Sequence, residues 1–351
     1  MKRLLVLFFA TAMLLFPQMK KVVAVGLSQE QIDELNRVSD AVRVVPGIPP
    51  RVDEVTQVTA DEPGESAQQQ TLLREVADAD GFIGGARREV IQAAKKLQWF
   101  QILSAGVENY RYPELLEGDI VVTNARKIAS PGIADHAFAM LLSLTRNMTH
   151  FIPNRATHKW ERRDYGLLEL QGKTALIIGV GGIGSNVAMR AKAFGMTVIG
   201  VDPKEFPPRP IVDLMVYPDR LDEQIPKADV VFVCAPHTPE SEKMFGPNQF
   251  ALMKQGSYFI AVSRGKVYDL DALVKSLDSK RLAGAGVDVT DPEPLPADHP
   301  LWEFENAIIT PHIATQTDGE MPRRMELLRE NIARFGRGEK LINVVEMVRG
   351  Y

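Results

Sequence analysis

An α/β architecture with parallel sheets, shared between two domains, is what the order of residues predicts. Three observations carry it. Short apolar runs alternate with amphipathic stretches along most of the chain, which is the pattern of βαβ units. One apolar run passes through a glycine cluster straight into a helical stretch. The length of 351 residues also exceeds the ~100–200 of a single domain.

From Met19 the elements follow in order. VVAVG (22–26) reads as a first strand, and SQEQIDELNRV as a helix capped by Ser28, with Ile32 and Leu35 on its apolar face. AVRVVP, the helical TLLREVADA, the strand GFIGG, the helix ARREVIQAAKKL and the strand WFQILSAG continue the alternation. Residues 46–70, rich in Pro and Gln, are expected to hold one strand between two loops. SPGIADHAFAMLLSLTRNM (130–148) is the strongest helix, with Ser130 at the cap and Pro131 in the first turn. Its apolar residues go all round, so it must bury more than one face, at a domain junction or a dimer contact. A polar connection follows, and a second alternating series begins at Lys173.

Composition excludes several classes. Hydrophobic residues make up 45%, charged residues 25%, and the net charge is −4, without blocks of like charge, so neither nucleic acid nor a membrane surface is an expected partner. The one cysteine, Cys234, allows no intrachain disulfide and no structural zinc cluster, and a reducing compartment fits it best. Residues 1–18 point the other way. Their basic start and apolar run at 4–16 have the layout of a signal peptide and fall short of the ~20 residues that span a bilayer. A small-residue cleavage site is lacking after the run, and Met19 opens MKKVVAVG as a start residue would. The segment is thus either a targeting signal or an upstream start assigned in error, and it is excluded from the fold. A cytoplasmic location is expected, with export or tethering through 1–18 as the alternative.

KTALIIGVGGIGSNVAMRAKAFGMTVIGVD (173–202) holds the most specific motif, G-x-G-x-x-G between a strand and a helix, with an acid ending the next strand. Gly179 is expected to make the tight turn, Gly181 to admit a pyrophosphate and Gly184 to pack helix on strand. Gly182 and Ile183 open the helix, whose amides and positive end face the phosphates. Asp202, eighteen residues after Gly184, would accept hydrogen bonds from an adenosine ribose and repel a 2′-phosphate. NAD is therefore expected over NADP, a preference that nearby Lys204 and Arg209 weaken.

Among six histidines, His136 reads as core or interface, His150 and His158 as residues of the polar connection, His299 as a loop residue and His237 as structural. None has metal-ligand spacing, so no metal is expected. His312 differs, because AIITPHIA ends a strand at the sheet edge where open α/β sheets bind ligands. SYFIAVSRG brings Arg264 to that edge, and LAGAGVDV leads into DVTDPEPLPADHP with Glu293. A guanidinium grips a carboxylate, an imidazole moves the proton of a hydroxyl, and a carboxylate beside the imidazole favours its charged form. Asp291, Asp298 and His299 read as solvated loop residues.

GVGGIG with Asp202, AVSRG, DVTDPEPLP and NAIITPHIA, in this order, resemble the D-isomer-specific 2-hydroxyacid dehydrogenases from about Met19 to the C-terminus. The resemblance implies a Rossmann-type NAD-binding domain inserted into a smaller, flavodoxin-like substrate domain. Its boundaries would be 19–125 and 315–351 for the substrate domain and 126–314 for the cofactor domain, with a homodimer formed through 130–148. Arg264 would bind the substrate carboxylate, His312 would be the acid or base and Glu293 its partner. Ser104, Ala105, Gly106 and Val107 would offer backbone amides to the substrate. Cofactor contacts are expected from Gly179, Gly181, Gly182, Ile183, Gly184, Asp202, Ala235, Pro236 and Ser263, with Asp288 meeting the nicotinamide carboxamide.

The implied reaction interconverts a 2-oxo acid and a D-2-hydroxy acid with NAD(H), as in hydroxypyruvate and glyoxylate reductases. Glu293 argues against formate as substrate, because similar enzymes acting on formate pair the histidine with glutamine. An NADH-binding corepressor on the same scaffold, and a phosphoglycerate- or phosphite-type dehydrogenase, remain as alternatives. The chain ends soon after the core, so the regulatory domain of long phosphoglycerate dehydrogenases is not expected. The substrate pocket would draw on loops near Gly84-Gly85, 104–108 and Trp302.

Overall fold

The structure, a computed structural model, describes residues 19–48, 67–204 and 210–349. The expectations for 1–18, for Arg209 and for most of 46–70 lie outside the described residues. Contacts divide the chain into two compact units. One holds the chain up to Leu103, Tyr110–Asn124 and Met325–Val345; the other holds Ser104–Asn109, Ala125–Arg324 and Glu346–Tyr351.

In the first unit run β1 (Lys20–Ala24), α1 (Gln29–Asn36), β2 (Val42–Pro46), α2 (Ala67–Val76), β3 (Gly81–Ile83), α3 (Arg88–Ala93), β4 (Trp99–Gln101), α4 (Pro113–Leu116) and β5 (Val121–Thr123). All strand pairs are parallel, in the order β2-β1-β3-β4-β5, which is the flavodoxin-like order. Helix α1 starts as its sequence predicts. The Ser28 hydroxyl accepts from the Gln31 amide and the Gln31 side chain accepts from the Ser28 amide, while Ile32 and Leu35 are buried.

In the second unit run α5 (Ser130–Thr145), α6 (Met148–Asn154), β6 (Thr174–Ile178), α7 (Gly182–Ala193), β7 (Thr197–Val201), β8 (Leu214–Val216), α8 (Leu221–Gln224), β9 (Val230–Val233), α9 (Pro247–Leu252), β10 (Ser257–Ala261), α10 (Leu270–Asp278), β11 (Leu282–Val287) and β12 (Ala307–Ile309). The seven strands are parallel, in the order β12-β11-β10-β9-β6-β7-β8. Strand order reverses between β6 and β9, so their carboxyl ends open the crevice in which doubly wound sheets bind dinucleotides. Strands β9 and β10 are buried throughout, as continuous apolar runs in a two-faced parallel sheet must be. The last helix, α11 (Glu320–Arg337), enters the first unit from Met325 on.

Three expectations are corrected. Helix α5 ends at Thr145, its cap is Ala129, and Ser130 lies inside it without capping through its side chain. Its apolar surface is used within its own unit, because Ile133, Ala134, Ala137, Phe138, Met140, Leu141 and Leu144 are all buried there. The return to the first unit, expected at 315, comes at Met325, because Arg323 Nε donates to the Ile128 carbonyl at 2.7 Å and Thr317 packs on Gly132.

Candidate active site

The glycine turn shows why each glycine is needed. Gly179 has φ +86°, and a Cβ there would lie 2.6 Å from the backbone of Ala235. A Cβ on Gly184 would collide with the Gly179 carbonyl, whereas one on Gly181 meets nothing within 4 Å, which leaves open space at the start of α7. Gly182 lies against Ser130 and Lys127, and Ile183 is half-buried against the core. Asp202 is nearly buried, and its carboxylate accepts from the Val180 amide at 2.8 Å and the Lys204 amide at 3.0 Å. It thus ties the end of β7 to the turn.

Ala235 and Pro236 follow β9, and Ser263 follows β10. The Ser263 hydroxyl is buried without a hydrogen-bond partner. An orphaned Ser263 hydroxyl and an open Gly181 at the start of α7 together suit a dinucleotide, so the residues present fit the group. Among the described residues no three His, Cys, Asp or Glu side chains are grouped as a metal would require, and no helix is long and apolar enough to cross a membrane.

Arg264, Glu293 and His312 follow the adjacent strands β10, β11 and β12 at their carboxyl ends. His312 Nδ1 lies 2.9 Å from Glu293 Oε2, which leaves Nε2 as the ring nitrogen not engaged by that carboxylate. Glu293 is itself held, since its Oε1 accepts from the Thr290 amide at 3.0 Å and the Thr290 hydroxyl donates to the Pro292 carbonyl at 2.8 Å. The Tyr268 hydroxyl, its pKa pushed up by burial, donates to the Val289 carbonyl at 2.7 Å. A Cβ on Gly265 would collide with the Thr290 carbonyl. The loop that carries Glu293 is therefore packed directly on the residue after Arg264.

Asp288 supports the other side. Its buried carboxylate accepts from the Thr310 hydroxyl at 2.6 Å and from the Ile313 and Ala314 amides, both at 3.0 Å, while its carbonyl accepts from the His312 amide at 2.9 Å. His136 Nε2 lies 2.9 Å from the Thr310 hydroxyl. His312 has φ +53°, a conformation a non-glycine residue keeps only where its surroundings hold it. Sequence placed Asp288 at the cofactor and His136 in a core; their second task, bracing the histidine turn, carried no periodic signal.

Arg264 already has a carboxylate partner. Its Nε donates to Glu108 Oε1 at 3.0 Å, and its Nη1 donates to the Ser263 carbonyl at 2.8 Å. Glu108 follows the expected substrate loop, in which the Ser104 hydroxyl donates to the Gly106 carbonyl at 3.0 Å, Val107 is buried and Ala105 is partly held by the chain. A Cβ on Gly106 would collide with the Arg264 guanidinium. Sequence reasoning placed Glu108 in a pocket loop but did not foresee its pairing with Arg264. The Trp302 indole N–H donates to the Pro296 carbonyl at 2.9 Å.

The family model described as D-isomer specific 2-hydroxyacid dehydrogenase, NAD binding domain, matches residues 138–314. The D-3-phosphoglycerate dehydrogenase of Methanocaldococcus jannaschii is 33% identical over 79% of this chain and 53% of its own length. The glyoxylate reductase of Korarchaeum cryptofilum is 32% identical over 78% of this chain and 85% of its own. A crystal structure of a D-isomer specific 2-hydroxyacid dehydrogenase family protein from Aeromonas salmonicida superposes with a TM-score of 0.76 at 26% identity, covering 94% of this chain and all of that one. The chain spans about half the length of the phosphoglycerate dehydrogenases it matches.

Proposed function

Because the chain belongs to the D-isomer-specific 2-hydroxyacid dehydrogenases, we propose that it interconverts a 2-oxo acid and a D-2-hydroxy acid with NAD(H). The observation that carries this reading is the His312–Glu293 pair at 2.9 Å, at the same sheet edge as Arg264. When bound, the nicotinamide supplies or receives the hydride at C2. The rest of the chemistry falls to the chain. Arg264 binds the carboxylate of the acid with its fork, and amides of 104–107 take a share of that charge. His312, protonated and held by Glu293, gives its Nε2 proton to the carbonyl oxygen during reduction and takes it back during oxidation. Glu293 keeps the ring oriented and stabilises its cation. Gly179, Gly181, Gly182, Ile183, Gly184, Asp202, Ala235, Pro236, Ser263 and Asp288 form the cofactor seat, with NAD favoured by the Asp202 carboxylate.

The unit with β2-β1-β3-β4-β5 is read as the substrate domain and the other as the cofactor domain. A homodimer is also proposed. Since α5 is spent within its unit, the contact extends to the segment after it, where Ile152 is 62% and Trp160 96% exposed and Met148 and Leu167 add apolar surface. A cytoplasmic location suits the lone buried Cys234.

The test is a panel of glyoxylate, hydroxypyruvate, pyruvate and bulkier 2-oxo acids against NADH and NADPH, followed by coenzyme absorbance. Turnover with NADH is expected, and His312→Ala is expected to lower it by about 10²–10⁴-fold while NADH still binds. NADH binding without turnover of any acid would favour the corepressor-like alternative. Unchanged turnover in His312→Ala would remove the histidine from the mechanism.

A further inference from the structure

We propose that Glu108 is an internal carboxylate that occupies the substrate's place on Arg264, so that it sets the affinity for the 2-oxo acid and biases the site toward acids with a single negative charge. The inference rests on the reading that Arg264 binds the substrate carboxylate. A guanidinium offers a carboxylate one two-pronged edge at a time. On Arg264 one of the two Nη1 hydrogens is committed to the Ser263 carbonyl at 2.8 Å, and Nε is committed to Glu108 at 3.0 Å. The Nε side of the guanidinium is thus held by the chain itself, and a substrate carboxylate must displace Glu108 to use it. Gly106 permits this, because a Cβ there would strike both the Arg264 guanidinium and the Glu108 carboxylate.

Glu108 is also free to leave. Its side chain is 39% exposed and that of Arg264 34%, so the pair faces solvent and is of the weak kind that an incoming anion can replace. Displacement does not remove the charge. A carboxylate tethered two residues from Gly106 stays beside the bound acid, where it tolerates the one charge that Arg264 neutralises and opposes a second, such as a phosphoester or another carboxylate. The site is thereby tuned against dianionic acids.

Steady-state kinetics and calorimetry on the full chain test this. Glu108→Gln is expected to lower KM for a monoanionic 2-oxo acid by about two- to fivefold, and to lower KM for a dicarboxylic 2-oxo acid by a larger factor. Calorimetric titration with oxamate in the presence of NADH should show the same gain without turnover, and the gain should vanish in Arg264→Ala/Glu108→Gln. Glu108→Asp, one methylene shorter, should shift binding in the same direction by less, and it serves if the Gln variant fails to fold. Unchanged or weaker binding of both ligands in these variants overturns the proposal. Tighter oxamate binding with no acid reduced would sustain it while refuting the dehydrogenase reading.

Discussion

His312 keeps a φ of +53° because Asp288 accepts its amide and binds the next two amides through its carboxylate. Asp288→Asn places an NH2 group against donors, so this turn should loosen. We expect kcat to fall at least tenfold, with a lower melting temperature, because each buried hydrogen bond lost with its partner unsatisfied costs about 1–3 kcal/mol. Unaltered kcat alongside a lower melting temperature would confine Asp288 to stability. Glu293→Gln keeps the shape of the loop but removes the anion beside the imidazole. With the ring no longer held by a carboxylate, kcat for reduction should fall about tenfold or more while NADH still binds, and an unaltered kcat would contradict the role of Glu293. Arg264, Glu293 and His312 were legible because chemistry requires distinct residue types at strand ends. Glu108, Thr310 and Tyr268 were not, since their roles arise only when loops distant in sequence meet, and the hydroxyl of a tyrosine or threonine has many bland uses.

The first turn of α7 depends on glycine in a way that a substitution can measure. Gly179→Ala must accept φ +86° and a contact at 2.6 Å with Ala235, so the turn should shift away from its crevice. NADH affinity, read by fluorescence titration, should drop more than tenfold, and wild-type affinity would show the turn to be irrelevant to the coenzyme. At the far edge of the sheet, Asp213 joins β7 and β8. Its carboxylate accepts from the Val198 amide at 2.7 Å and from Lys192 at 2.9 Å, and these hold its pKa below the usual value. A depressed folded pKa means the stabilisation is complete above the unfolded value, near 3.8, and disappears as pH falls through the folded one. Asp213→Asn should thus lower the melting temperature at neutral pH by a small amount, because the pair is exposed and screened, and the gap should close in strong acid. A gap that persists there would refute the linkage. Elements with their own punctuation were readable, as the Ser28 cap of α1 and the glycine turn before α7 were. The end of the 130–148 helix was not, because Arg146 and Met148 are compatible with a helix and the break comes at Asn147, at φ +55°.

At the scale of the molecule, two parallel sheets with the orders 2-1-3-4-5 and 7-6-5-4-1-2-3, each numbered within its own unit, follow from alternating strands and right-handed crossovers. Their existence was predictable from periodicity; where the chain passes from one unit to the other was not, because Arg323 and Thr317 are bound by contacts that no local pattern encodes. A coenzyme that binds only the folded chain raises stability by about 2.7 kcal/mol at a hundredfold excess over Kd. NADH should therefore raise the melting temperature by more than NADPH does, given Asp202, and an equal or larger shift with NADPH would overturn the coenzyme preference. Sedimentation of the native chain should give a dimer that Ile152→Asp or Trp160→Asp weakens, and a monomeric native chain would contradict the proposed contact. The most direct test of the central claim is the fate of a labelled hydride. NADH deuterated at the transferable position is incubated with the best 2-oxo acid of the panel, and the product is examined by mass spectrometry and chiral chromatography. Deuterium at C2 of a D-2-hydroxy acid is the predicted result; an unlabelled product, or the L-isomer, would contradict it.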